Sequence, residues 1–123
     1  MLFYPKLKSL ELSGLNLQRL PENITKLTSL KEIILSHNRF EEFPSELLFM
    51  KGLSSISLEN NYLKEVPRTL GRNLTFLNLK KNRIGKVDKV LKSTLEGLSK
   101  FEELKIDSSV LGLGNAKFKV SHI

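Results

Sequence analysis

Apolar residues recur along this chain with two periods at once. In short windows they alternate, as in Leu10 and Leu12, Ile33 and Leu35, Ile56 and Leu58, or Leu77 and Leu79. Alternation over four or five residues predicts a short strand with one buried face. Over longer distances the window itself returns. "LKSLELSGLNL" from Leu7 is followed by "LKEIILSHNRF" from Leu30, "LSSISLENNYL" from Leu53, "LTFLNLKKNRI" from Leu74 and "FEELKIDSSVL" from Phe101. The starts lie 23, 23, 21 and 27 residues apart. A second series falls between the strands: Leu20-Pro21, Phe43-Pro44 and Val66-Pro67, followed by Ile24, Leu47 and Leu70. A period in the twenties predicts a solenoid, in which each coil buries its apolar face on the next because none can do so alone. Proline fixes φ and lacks an N–H, so these prolines belong in turns off the sheet.

Departures from the period carry their own expectations. The third repeat is two residues short, so "VPRTLGRN" must turn more tightly than "FPSELLFMKG". The fourth is long, and Val87, Val90, Leu91, Thr94, Leu95 and Leu98 fall at spacings of three and four. That spacing predicts an amphipathic helix over 87–98, with Lys86, Lys89 and Lys92 outward. The final twelve residues either run back along the last coil, Phe118, Val120 and Ile123 covering its edge, or stay disordered. Leu2 and Phe3 would be exposed ahead of the first coil, which leads us to expect a piece of a longer chain.

Asn38, Asn61 and Asn82 share one frame position just past their strands. An amide side chain carries donors and an acceptor, so it can satisfy backbone groups that a tight inward bend hides from water. Together these features match L-x-x-L-x-L-x-x-N-x-L, and the chain from about residue 5 to residue 111 resembles the leucine-rich repeats. The "LPENI" and "FPSEL" segments resemble the intracellular class of that family. The resemblance implies an α/β solenoid: an arc with a short parallel β-sheet on its concave face and irregular or helical segments on the convex face. It implies one domain over 1–123, five coils starting near 7, 30, 53, 74 and 101, and 112–123 as a tail or cap. It also implies that the three asparagines form a ladder between coils. It implies no particular activity, because the family shares a shape and not a chemistry.

Composition narrows the chemistry. The chain has no cysteine and two histidines, which leaves little for a transition-metal site or a thiol nucleophile. No nucleophile–base pair assembles, so neither an enzyme, a cofactor nor a small-molecule substrate is expected. No window approaches the roughly 18 apolar residues of a span, and no secretory signal is visible, so no membrane association and an intracellular location, cytoplasmic or nuclear, are expected. The formal net charge is +7. Residues 1–62 balance seven basic against seven acidic side chains, whereas 64–92 hold nine basic ones against Glu65 and Asp88. Such a field attracts nucleic acid, an acidic protein or an anionic surface.

The positions between the leucines remain. Flanking the inward pair are three open lanes: Ser9, Glu32, Ser55, Phe76, Glu103; then Glu11, Ile34, Ser57, Asn78, Lys105; then Ser13, Ser36, Glu59, Lys80, Asp107. Ile34 and Phe76 are large apolar residues where the frame predicts water. With Tyr62, His37, Arg39, Lys80, Lys81 and Arg83 nearby, they have the composition of a binding hot spot. The expected function is therefore a monomeric protein-interaction module that takes an acidic protein partner on its concave face. The alternative is a nucleic-acid-contacting component of a ribonucleoprotein that uses the basic 64–92 region.

Overall fold

The computed structural model describes residues 6–67, 69–85, 89–107 and 119–121, with the backbone alone at 89–92 and 119–121. Six strands of three residues each are Ser9–Glu11 (β1), Glu32–Ile34 (β2), Ser55–Ser57 (β3), Phe76–Asn78 (β4), Glu103–Lys105 (β5) and Lys119–Ser121 (β6). They form one parallel sheet in chain order. The register sets Leu10, Ile33, Ile56, Leu77 and Leu104 side by side, so the unequal repeat lengths are absorbed outside the sheet. A slip by one residue would turn every inward leucine to water, which makes this pairing the one with a core. The chain is thus an α/β solenoid whose strands step about 4.8 Å per coil.

Return segments close the far side of the core. After Pro21 and Pro44, both in extended backbone, the chain forms 3₁₀ helices at Glu22–Lys26 and Ser45–Phe49. Their bonding is the same in both coils: Ile24 N–H to the Pro21 carbonyl and Leu27 to Ile24, then Leu47 to Pro44 and Met50 to Leu47. The three-residue period of this helix puts Ile24 and Leu27, or Leu47 and Met50, on one buried side. The short third coil closes as the other two do, with Leu74 N–H donating to the Gly71 carbonyl as Leu30 does to Leu27 and Leu53 to Met50.

The long fourth repeat contains α1, an α-helix at Lys89–Glu96. It ends at Glu96, two residues before the expected end at 98. Leu95 is buried in the core and Leu98 packs against it, while Val87 and Lys86 lie outside the described residues. At the end of the chain residues 119–121 lie along the edge of the fifth coil, as expected for Val120. β6 pairs parallel to β5, with Val120 opposite Leu104, and adds a sixth strand to the sheet. Leu2, Phe3, Phe118 and Ile123 lie outside the described residues.

Burial is uneven along the stack. Leu30, Ile33, Leu35, Leu53, Leu58, Leu74, Leu77 and Leu79 are buried, whereas Leu7, Leu10, Leu12 and Leu17 of the first coil are only partly so. A coil between two neighbours loses both of its sides to packing; the first coil packs on the second alone among the described residues. No helix among those residues is long and apolar enough to cross a membrane.

Candidate functional site

Each strand must bend inward after two buried residues, and that bend would leave backbone groups without partners. Asn38, Asn61 and Asn82 satisfy them. The Asn61 Oδ1 accepts the Phe40 N–H at 3.0 Å, and its Nδ2 donates to the carbonyls of Leu35 and Leu58 at 3.0 and 3.1 Å. Asn38 repeats this toward Leu17, Leu12 and Leu35, and Asn82 toward Leu63, Leu58 and Leu79. The Leu35 carbonyl therefore accepts from Asn38 and Asn61, and that of Leu58 from Asn61 and Asn82. Each amide stitches its own bend to the coil before it. Asn38 and Asn61 are buried and Asn82 is half-buried. In the first coil Leu15 stands at this frame position and is exposed, its N–H bonded to Asn38 instead.

One residue ahead of that position the backbone is left-handed in four coils: Gly14 has φ 70°, His37 58°, Asn60 59° and Lys81 58°. Glycine, asparagine and histidine tolerate that region; lysine is seldom found there. The N–H groups of Gly14, His37 and Asn60 each donate to a carbonyl of the next coil. The N–H of Lys81 donates to both carboxylate oxygens of Asp107, at 3.1 and 3.0 Å. A side chain there takes the acceptor's place and holds the strained turn.

These bends carry the open lanes to a rim. Along the lanes six polar residues bond in pairs: Ser9 to Glu32 at 2.8 Å, Ser36 with Ser57 at 3.1 Å, and Asn78 to Glu59 at 3.1 Å. Ile34 and Phe76 interrupt this network and are half-buried. Their strands are two apart, about 10 Å at the usual strand spacing, and the two residues lie diagonally, with Ser55 and Ser57 on the strand between. The Lys105 ammonium lies over the Phe76 ring, 5.6 Å from its centre. At the rim, Tyr62 is exposed and the Arg83 guanidinium sits 4.2 Å above its ring. Arg39 occupies the same frame position one coil earlier, Lys80 and Lys81 precede Arg83, and the His37 ring bonds the Asn60 amide at 2.7 Å. The side chains singled out from the sequence thus fall on the concave face or its rim.

Three features of this surface escape sequence reasoning. Lys105 belongs to the apolar patch through its contact with Phe76. Asn78, read as an open-lane residue, is buried, with its Oδ1 accepting the Lys80 N–H. The basic 64–92 stretch, which reads as one cluster, is divided by the fold. Lys80, Lys81 and Arg83 stand where strands end, and Arg72 stands where strands begin. Lys64 lines a different groove with Glu41, Glu42 and Glu65. Arg68 and Lys86 lie outside the described residues. Among the described residues no group of three or more His, Cys, Asp or Glu side chains is placed to hold a metal.

Comparison with known proteins agrees with this architecture. The family model for the leucine-rich repeat matches residues 29–50, the second coil. No curated protein matches the sequence significantly. Among solved structures, the crystal structure of an internalin from Listeria monocytogenes is similar, with a TM-score of 0.50 and 16% sequence identity. The match covers 95% of this chain and 49% of that one, so the chain spans about half the internalin's length. At that identity the likeness is one of fold.

Proposed function

This chain is a leucine-rich-repeat solenoid, and on that premise we propose that it is an interaction module which binds a protein segment along its concave face. The observation that carries this reading is the pair Ile34 and Phe76, set in lanes whose other members are polar, six of them bonded in pairs. A partner's apolar side chain placed between them would remove both from water. Small serines separate the two, which leaves room for such a side chain. Around the patch, Arg39, Lys80, Lys81, Arg83 and Lys105 supply positive charge, so an acidic partner is favoured in approach and in register. The Tyr62–Arg83 pair adds a flat, already ordered contact at the rim, which costs little entropy to use.

The nucleic-acid reading draws less support from the geometry. Among the described basic side chains of 64–92, Lys80, Lys81 and Arg83 stand where strands end and Arg72 where they begin, and the aromatic groups near the concave rim, Tyr62 and Phe76, already hold Arg83 and Lys105.

The test compares the wild-type chain with the double variant I34S/F76A in one preparation. Neither substitution removes an inward leucine, so stability should move by less than about 1 kcal/mol. Proteins captured on the wild type from source-cell lysate should bind the variant more weakly by about 2 kcal/mol or more. Capture unchanged by the double substitution would reject the concave patch. Tight binding of mixed single-stranded RNA, falling by orders of magnitude between about 50 and 200 mM salt, would favour the nucleic-acid reading instead.

A further inference from the structure

Parallel strands place all their first residues along one edge, opposite the rim just described. Within the four residues that lead into each of the first five strands stand the cations Lys6 and Lys8, Lys31, Lys51, Arg72 and Lys100, among small or polar residues such as Thr28, Ser54, Asn73 and Thr75, with Glu102 the acidic residue among them. All six cations are exposed. Contacts across the coils show that they share a surface. The Lys31 ammonium lies beside Gly52, Asn73 donates to the Lys51 carbonyl at 2.7 Å, and Lys100 donates to Asn73 at 2.8 Å. Among the described residues none of these cationic groups meets a carboxylate.

Phe49 projects from the same edge. It ends the 3₁₀ helix Ser45–Phe49, whose period buries Leu47 and Met50 and leaves Phe49 74% exposed. It borders a small recess of about 190 Å³ with Thr25, Leu27, Thr28 and Lys51. The tightened third coil opens a larger cleft beside it, about 510 Å³, lined by Leu48, Leu70 and Gly71 and flanked by Lys51 and Arg72.

We propose that this edge docks on an anionic membrane surface, with Phe49 entering the headgroup layer among Lys31, Lys51, Arg72 and Lys100. A projecting aromatic needs an apolar medium, and unpaired cations around it need anions. The boundary of an acidic leaflet presents both within a few ångströms, and presents them as a plane. An acidic peptide would have to bring its own apolar pocket for Phe49. The cations lie in a row across successive coil junctions, which suits a plane better than a cleft-bound segment. The cleft between Lys51 and Arg72 can take one acidic headgroup. This is contact at a surface, not a span, and it leaves the concave face open; it stands independently of the proposal for that face.

Sedimentation with phosphatidylserine–phosphatidylcholine vesicles tests the proposal against pure phosphatidylcholine vesicles. The wild-type chain should bind the acidic vesicles and not the neutral ones, and binding should weaken as salt rises. Each Lys or Arg at such a surface contributes roughly fivefold, so K51Q/R72Q should lose roughly 25-fold. Phe49→Ser should weaken binding without changing its salt dependence. R39Q/R83Q, on the opposite rim, serves as the control and should bind acidic vesicles nearly as well as the wild type. All these residues are exposed, and unchanged urea midpoints will show that the variants fold. Equal binding to both vesicle types would overturn the proposal. So would loss in R39Q/R83Q with retention in K51Q/R72Q. Binding of a single-stranded oligonucleotide, but not of vesicles, through Lys51 and Arg72 would assign the edge to nucleic acid and overturn it as well.

Discussion

At the scale of single residues, the polar side chains with most effect on the fold are those whose partners are backbone. Asn61 is 2% exposed and joins two coils through one acceptor and its donors. Asn61→Ala leaves the Phe40 N–H without its partner in a buried bend and takes one of two amide donors from each of the Leu35 and Leu58 carbonyls, and should cost about 1–3 kcal/mol. Urea denaturation measures this directly, and an unchanged midpoint would show that water replaces the amide. Lys81 provides a second case with the opposite sign. Its φ of 58° strains any residue with a Cβ, so Lys81→Gly should be neutral or stabilising by up to about 1 kcal/mol. Lys81→Val, β-branched in the same region, should be destabilising by about 1–2 kcal/mol or more. Equal midpoints for the two variants would mean that the turn relaxes.

Elements in this protein have little stability of their own. A strand of three residues or a 3₁₀ helix of five persists because the coil beside it supplies bonds and a surface. The same holds for α1, whose eight residues are too few for an isolated helix. Leu95 ties it to the core at 1% exposure. Leu95→Ala should therefore cost about 2–5 kcal/mol, with the loss concentrated in the C-terminal coils. Hydrogen exchange would reveal it as faster exchange in β5 than in β2; uniform acceleration along the stack would show that the helix supports the whole arc.

For the whole molecule, stability is a sum over coil interfaces, and the interior coils hold most of it. Leu58 is fully buried between two neighbours, whereas Leu12, at the same frame position, is only partly buried. Leu58→Ala should cost about 2–5 kcal/mol, and Leu12→Ala distinctly less. In native-state exchange the β3 amides should be the slowest and those of β1 among the fastest. Equal costs for the two alanine variants would mean that the first coil is covered as completely as the third. The same one-dimensional build explains how two surfaces coexist: strand ends and strand beginnings lie on opposite edges, and each edge collects neighbouring frame positions from successive coils.

That geometry separates what the sequence determines from what only the tertiary structure decides. Period and alternation determine the strands, their register and the inward leucines, because only one alignment of the repeats buries every apolar pair. The place of Asn38, Asn61 and Asn82 was equally legible, since one amide recurs in one frame. The left-handed turn was not legible. Gly14, His37, Asn60 and Lys81 share no chemistry, and it is the bend of the coil that forces φ upon them. Phe49 was hidden inside the apolar run "LLFM", where the 3₁₀ period alone decides which side chain faces water. Charge shows the limit most plainly: in the densest basic stretch, 64–92, the described residues Arg72 and Arg83 stand on opposite edges. Lys31, Lys51, Arg72 and Lys100 lie far apart along the chain and become neighbours, because stacked coils bring together residues a full repeat apart.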